Sequence, residues 1–340
     1  MEPISTRCST PYPEKPWMRK KPKRDFLHGV LNIDKPPHCS SHDVVTQIRA
    51  LGCRKVGHAG TLDPLATGVL PICIGQATKI IPFLQETRKT YVARMRLGIR
   101  TDTQDATGRI IATAPLRGIR EDDVRRVCEK FIGVRQQVPP MYSAVKYQGK
   151  PLYHFARQGL ELPRSPRTIT IFSLELLGWT GEEVLLRVVC SSGTYIRTLC
   201  DEIGEHLGCW AHVTQLVRTA FGPFLLRHAL SLSTLHRLWT RGEITSSLYS
   251  LDQALSFLPV IVVTPSMAQQ VGHGVPVSAG AILAGGEGLE RGKRFRLHAP
   301  DHTLLAIGEA LYGREEWPSL PPHQTVLRLV RVFSAPQPGK

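Results

Sequence analysis

Residues 55–70 read Lys55-Val56-Gly57-His58-Ala59-Gly60-Thr61-Leu62-Asp63-Pro64-Leu65-Ala66-Thr67-Gly68-Val69-Leu70. Glycines at 57, 60 and 68 open backbone conformations that other residues avoid, and Pro64 fixes φ directly after Asp63. A stretch built this way holds a single carboxylate in place. Taken alone, an Asp before Pro in a glycine-rich loop serves either as a turn residue bonding its own backbone or as a reacting group.

The surroundings of the loop define the fold class. Upstream, Gly29 to Ile33 forms a short apolar strand, and Ser40 or Ser41 can cap a helix with Val44, Val45, Ile48 and Leu51 on one face, ending at Gly52. Residues 53–68 show no regular period and are expected to be an ordered loop. Val69 to Ile74 reads as a buried strand. From Thr90 to Leu97 polarity alternates, with Tyr91, Ala93, Met95 and Leu97 on one face and Val92, Arg94 and Arg96 on the other. A helix carrying Val124, Val127, Cys128, Phe131 and Ile132 stops at Gly133, strands are expected at 168–177 and 184–190, and a helix at about 195–207. Long connections and irregular alternation argue against repeated βαβ units. The class is α+β, a mixed, largely antiparallel sheet flanked by helices.

Beyond Leu258, the segments Val260–Val263, Arg294–Leu297, Leu304–Ile307 and Val326–Val332 are short strands between Gly-rich or Pro-rich turns, as in a small β-barrel or sandwich. The expected organisation is a basic, disordered arm at 1–27, a main domain at 28–257 and a small β-domain at 258–335. The arm assignment rests on its prolines and on Arg19, Lys20, Lys21, Lys23 and Arg24.

Of 340 residues, 42% are hydrophobic, enough for a full core in a globular chain. No apolar run approaches the roughly 20 residues of a membrane helix, and the first 30 residues lack a signal-peptide core. Lys plus Arg total 43 against 28 Asp plus Glu, a net charge of +15 that favours a polyanionic partner. The cysteines are scattered without a C-x-x-C pair or ligand spacing, which suits reduced thiols in a cytoplasmic protein.

Seven strings in register then point to one family. They are Gly29-Val30-Leu31-Asn32-Ile33-Asp34-Lys35-Pro36, Gly57 through Pro64, Lys89-Thr90-Tyr91, Thr101 through Gly108, Gln137 through Ala144, Gly193-Thr194-Tyr195-Ile196-Arg197-Thr198, and His212 through Arg218. Together they resemble the TruB family of pseudouridine synthases. The resemblance implies the pseudouridine synthase fold followed by a PUA-like RNA-binding β-domain. The implied reaction isomerises a uridine in RNA to pseudouridine, at position 55 of the tRNA T arm in the bacterial branch, with neither cofactor nor metal and no obligate protein partner.

By that resemblance Asp63 is the catalytic carboxylate, attacking ribose or base, and Arg197 is its cationic partner. Tyr91 faces the everted base and is a candidate for handling the proton lost from C5. Tyr195 and Leu216 line the same pocket, and His58 contacts the RNA loop. Lys35 either binds phosphate or braces the loop, and Arg218 is placed with it among RNA-binding residues. Asp102 and Asp105 read as turn chemistry rather than as paired catalytic carboxylates. His38 stands where the family usually has glycine, so it must take positive φ or the turn must differ. The segment from Tyr147 to Gly159 resembles the stand-alone bacterial type. The competing readings are a guide-RNA-directed synthase and a tRNA-folding chaperone acting without chemistry.

Overall fold

A computed structural model describes residues 27–333. The expected arm thus lies outside the described residues except for Leu27, which is buried.

Strand follows buried strand through the first half because the central sheet is covered on both faces. Its order is Leu248–Tyr249, Gly29–Lys35, Thr67–Ile74, Ala211–Phe221, Lys89–Leu97, Glu183–Cys190, Arg167–Trp179 and Gly133–Gln137. Every neighbouring pair on this path is antiparallel except Thr67–Ile74 with Ala211–Phe221. Successive residues of one strand point to opposite faces. Thus Leu70, Ile72 and Ile74 enter a core with Val44, Ile48, Val124 and Ile203 of three helices. Val69 and Cys73 enter a second core with Phe83, Phe221 and Phe224. An unbroken apolar run from Val69 to Ile74 is what two covered faces require.

The helix Ser41–Ala50 begins at Ser40, whose hydroxyl accepts from the Asp43 N–H while Asp43 bonds back to the cap. Helices Glu121–Lys130 and Ile196–His206 cover the same face. His38 adopts φ +57°, so the turn keeps its shape with a side chain that tolerates the left-handed region.

The small second sheet runs Val277–Ser278, Thr325–Val332, Leu304–Ala310, Arg294–His298, Val260–Val263 and Ile282–Gly285. Ile307 and Phe333 join the second core of the main sheet, so the β-domain is docked through apolar contact. Among the described residues no helix is long and apolar enough to cross a membrane.

Three details depart from expectation. Residues 53–68 contain the strand Val56–His58, which pairs with the far end of Thr67–Ile74. Its three residues are too few for a period to show. Ile132 lies beyond the helix end and is exposed; the stripe stops at Phe131. The helices Leu232–Arg241 and Pro265–Gly272 were not anticipated. Each starts at a Ser or Thr cap, Ser231 and Thr264, whose hydroxyl accepts from a backbone N–H of the first turn.

Candidate active site

The loop ahead of the Thr67–Ile74 strand is tied down at almost every carbonyl. Arg218 donates to the carbonyls of Gly60 at 2.9 Å, Thr61 at 3.4 Å and Val69 at 2.7 Å. Ser41 Oγ donates to Leu62 O and accepts from Leu62 N. Lys35 Nζ reaches the carbonyls of Pro36 (2.8 Å), Cys39 (2.6 Å) and Pro64 (3.3 Å). The His38 N–H donates to Pro64 O, and Ala66 N–H closes the turn on Asp63 O at 3.1 Å. A Cβ on Gly68, φ +98°, would stand 2.3 Å from Arg218 O, so only glycine lets the two strands meet there.

Of the two readings open for Lys35 this framework supports bracing, and it corrects the placement of Arg218 among residues that contact RNA. Lys35 is 0% exposed and Arg218 1% exposed, and both spend their donors on loop carbonyls. Polar groups so buried need such partners, and these cations brace the loop from below. Burial lowers the Lys35 ammonium from its usual range to about 8.

One group remains to face outward. The Asp63 side chain keeps 37% exposure, and its Oδ2 accepts from Arg197 Nε at 2.8 Å. Arg197 is the second residue of the Ile196–His206 helix and its side chain is 5% exposed. Its Nη1 donates to Thr103 O and its Nη2 to Tyr142 O, each at 2.8 Å. With each guanidinium nitrogen engaged, the arginine has no freedom to leave the carboxylate.

A second carboxylate shares that guanidinium: Asp105 Oδ2 stands 3.8 Å from Arg197 Nε. Asp105 also accepts from Thr103 Oγ1 and from the Thr107 N–H and hydroxyl, so the turn role read from sequence holds alongside this unforeseen one. Asp102 stays a turn residue, accepting from Arg109 N–H. One helical turn past Arg197, Asp201 accepts from Arg100 and from Gln104, whose φ is +63°, while Thr198 donates to Gln104 Oε1. One face of the helix thus grips both the Asp63 loop and the 101–108 turn.

A cleft of about 270 Å³ opens over Asp63, lined also by Lys89, Tyr91, Ser143, Tyr195, Arg197, Leu216 and Arg218. Tyr91 is buried on the strand whose register places it opposite Arg218. Desolvation pushes its phenol up, with the Arg218 guanidinium pulling weakly the other way, so it stays protonated at neutral pH. Burial likewise raises Tyr195. The backbone of Tyr195 is fixed by Gln137, which accepts from its N–H at 2.8 Å and donates to its carbonyl at 3.1 Å. Lys89, of the Lys89-Thr90-Tyr91 string, donates to the carbonyls of Gln85 and Thr87 and lies 4.7 Å from the Phe221 ring centre. Burial lowers it to about 8.

This assembly unites Asp63, Arg197, Tyr91, Tyr195 and Leu216. Residues 49–196 match the model of the TruB family pseudouridylate synthase N-terminal domain, and residues 197–256 that of the tRNA pseudouridylate synthase B C-terminal domain. The tRNA pseudouridine synthase B of Syntrophotalea carbinolica is 45% identical over 82% of this chain and 90% of its own length. The chain belongs to the TruB family of pseudouridylate synthases.

The Geobacter sulfurreducens tRNA pseudouridine synthase B is 42% identical over 91% of this TruB-family chain and 100% of its own. Among solved structures, a chain of a Cbf5-Nop10-Gar1 complex superposes with TM-score 0.73 at 30% identity, covering 89% of this chain and 84% of that one. His58 sits apart from the TruB-type cleft. It is half-buried on the Val56–His58 strand, and its Nδ1 has no hydrogen-bond partner among the described residues. Desolvation, then Arg218 and His42, lowers its pKa and keeps the ring neutral.

Proposed function

We propose that this synthase converts uridine 55 in the T arm of tRNA to pseudouridine in the cytoplasm, with Asp63 as nucleophile on an everted nucleotide. The observation that carries the reading is the 2.8 Å contact between Arg197 Nε and the outward-facing Asp63 carboxylate, at the mouth of a cleft walled by Tyr91, Tyr195 and Leu216. The fixed guanidinium holds that carboxylate in one orientation toward the cleft.

The target base must leave its stack to arrive there, which costs a few kcal/mol, and aromatic stacking returns about 1–3 kcal/mol. With the base held against Tyr91, Asp63 attacks, the bond from C1′ to N1 breaks and the freed uracil turns. The bond from C1′ to C5 then forms, the bond to Asp63 breaks and frees the carboxylate, and C5 gives up its proton while N1 gains one. Electrons balance without an oxidant, and no water enters the product. Tyr91, protonated and lining the cleft, is the residue proposed to relay that proton.

The remaining charge serves the polyanion. A hollow of about 350 Å³ beside the loop strand is lined, among the described residues, by His28, Lys55 and Lys79 and by no acidic side chain, which suits the phosphate backbone flanking the target. The β-domain at residues 258–333 is proposed as a further RNA contact. The length of match to relatives named tRNA pseudouridine synthase B, together with the resemblance of residues 147–159 to the stand-alone type, favours activity without a guide. The test is site-mapping of pseudouridine in bare tRNA and in an isolated T arm after incubation with purified protein, with Asp63→Asn as control. Modification that appears only with an added guide RNA would move the assignment to the guide-directed class.

A further inference from the structure

We infer that Ser143 reads the uracil ring directly, donating a hydrogen bond from its hydroxyl to a base carbonyl in the cleft; the inference deepens the function proposed above and rests on it. Ser143 is 5% exposed and lines the cleft with Asp63 and Tyr91. Its Oγ is buried and has no hydrogen-bond partner among the described residues. A hydroxyl in that condition costs folding free energy that a bound partner would return.

The hydroxyl is also aimed by the catalytic machinery itself. Its backbone N–H donates to Met141 O, its carbonyl accepts from Tyr153 N–H, and the preceding carbonyl, that of Tyr142, accepts from Arg197 Nη2. The guanidinium that fixes Asp63 therefore fixes Ser143 against the same guest. The Tyr195 phenol is its neighbour, although no hydrogen bond of proper geometry joins them. When a base enters, the phenol O–H can turn to Ser143 Oγ, which leaves the serine proton for the base.

The guest chemistry follows from the walls. Tyr91, Tyr195 and Leu216 suit a flat ring, and the Asp63 carboxylate repels a phosphate. A half-turn of uracil about its N3–C6 axis exchanges N1 with C5 and, with them, O2 with O4. A donor at one edge consequently meets a carbonyl both before and after the base turns. Ser143 can hold the detached ring through the rearrangement without changing partner.

The experiment compares RNA carrying uridine, 2-thiouridine or 4-thiouridine at the target, since a thiocarbonyl is the weaker acceptor. Wild-type enzyme is expected to slow several-fold on at least one thio substrate. Ser143→Ala should lower kcat about five- to tenfold on uridine, hold RNA Kd within about twofold, and lose the thio penalty. Ser143→Thr, which retains a hydroxyl, should keep that penalty even if its rate falls through crowding. A Ser143→Ala enzyme with wild-type kcat, or one that is slower but equally sensitive to sulfur, would overturn the inference. A wild-type enzyme inert on unsubstituted RNA would overturn the functional reading, and this inference with it.

Discussion

The main sheet buries charge and the small one keeps it at the surface. Lys35, Lys89, Asp105, Arg197, Asp201 and Arg218 all lie within or beneath the main sheet and are all under 9% exposed, whereas among the described residues of the small sheet the one comparably buried titratable side chain is His298. Its ion pairs include peripheral ones between Arg294 and Glu86 at 2.7 Å and between Arg328 and Glu309 at 2.6 Å, and a more enclosed contact of Arg296 with Asp252 at 2.8 Å. Buried ions are costly to install, and removing one partner leaves the other stranded. Their concentration around a single carboxylate shows where this chain trades stability for preorganisation, while the β-domain is built for docking and solubility.

The comparison can be broken first at its centre. Asp63→Asn should reduce pseudouridine formation to background while tRNA affinity stays within several-fold, as measured by single-turnover assay and filter binding; normal turnover would overturn the mechanism. Salt probes the opposite pole. If six to ten surface cations meet phosphates, affinity should fall about 10³- to 10⁵-fold between 50 and 200 mM salt, whereas kcat at saturating RNA should hardly move because the buried ions are shielded. A flat binding response would remove the electrostatic part of the account.

Arg197→Lys keeps the charge but not the fork, so Asp63, Thr103 and Tyr142 lose their common anchor. A misplacement of that kind should cost about 10²-fold in kcat, with little change in Kd. A smaller effect is tied to pH. Folding lowers Lys89 from 10.5 to about 8, so between those values the folded state binds fewer protons than the unfolded one. Its burial cost is therefore present in full below pH 8 and relieved as pH rises. Measured by urea unfolding, the stability of wild type relative to Lys89→Met should rise by up to about 3 kcal/mol from pH 7.5 to 10.5. The smallest change is expected at the domain contact, where Glu86→Gln should cost less than about 1 kcal/mol.

Where periodicity is strong, the sequence was legible. The alternation from Thr90 to Leu97 placed Tyr91 facing inward, as found, and the expected mixed, largely antiparallel sheet matches the observed pairing. Asp63 and Arg197 were found through family strings, since 134 residues separate them and nothing local marks the pair. The choice between the two readings of Lys35 stayed open, and Arg218 was assigned to RNA, for a related reason. A lysine or arginine is ordinarily a surface residue, and only the packed structure reveals that carbonyls of a distant loop are waiting for it. Asp105 and Ser143 escaped because turn residues announce their local bonds, not the guanidinium or cleft that tertiary structure brings to them.

The parallel pairing of Thr67–Ile74 with Ala211–Phe221, with Arg218 threaded through the Asp63 loop from 158 residues away, has a consequence in time. During synthesis, the segment bearing Asp63 leaves the ribosome long before its supports exist. An emerging chain that stops short of Arg218 therefore holds that loop without its clamp. Catalytic competence arrives late, when more than half of the polypeptide has been made, so truncated products of translation are expected to be inert toward RNA rather than partially active.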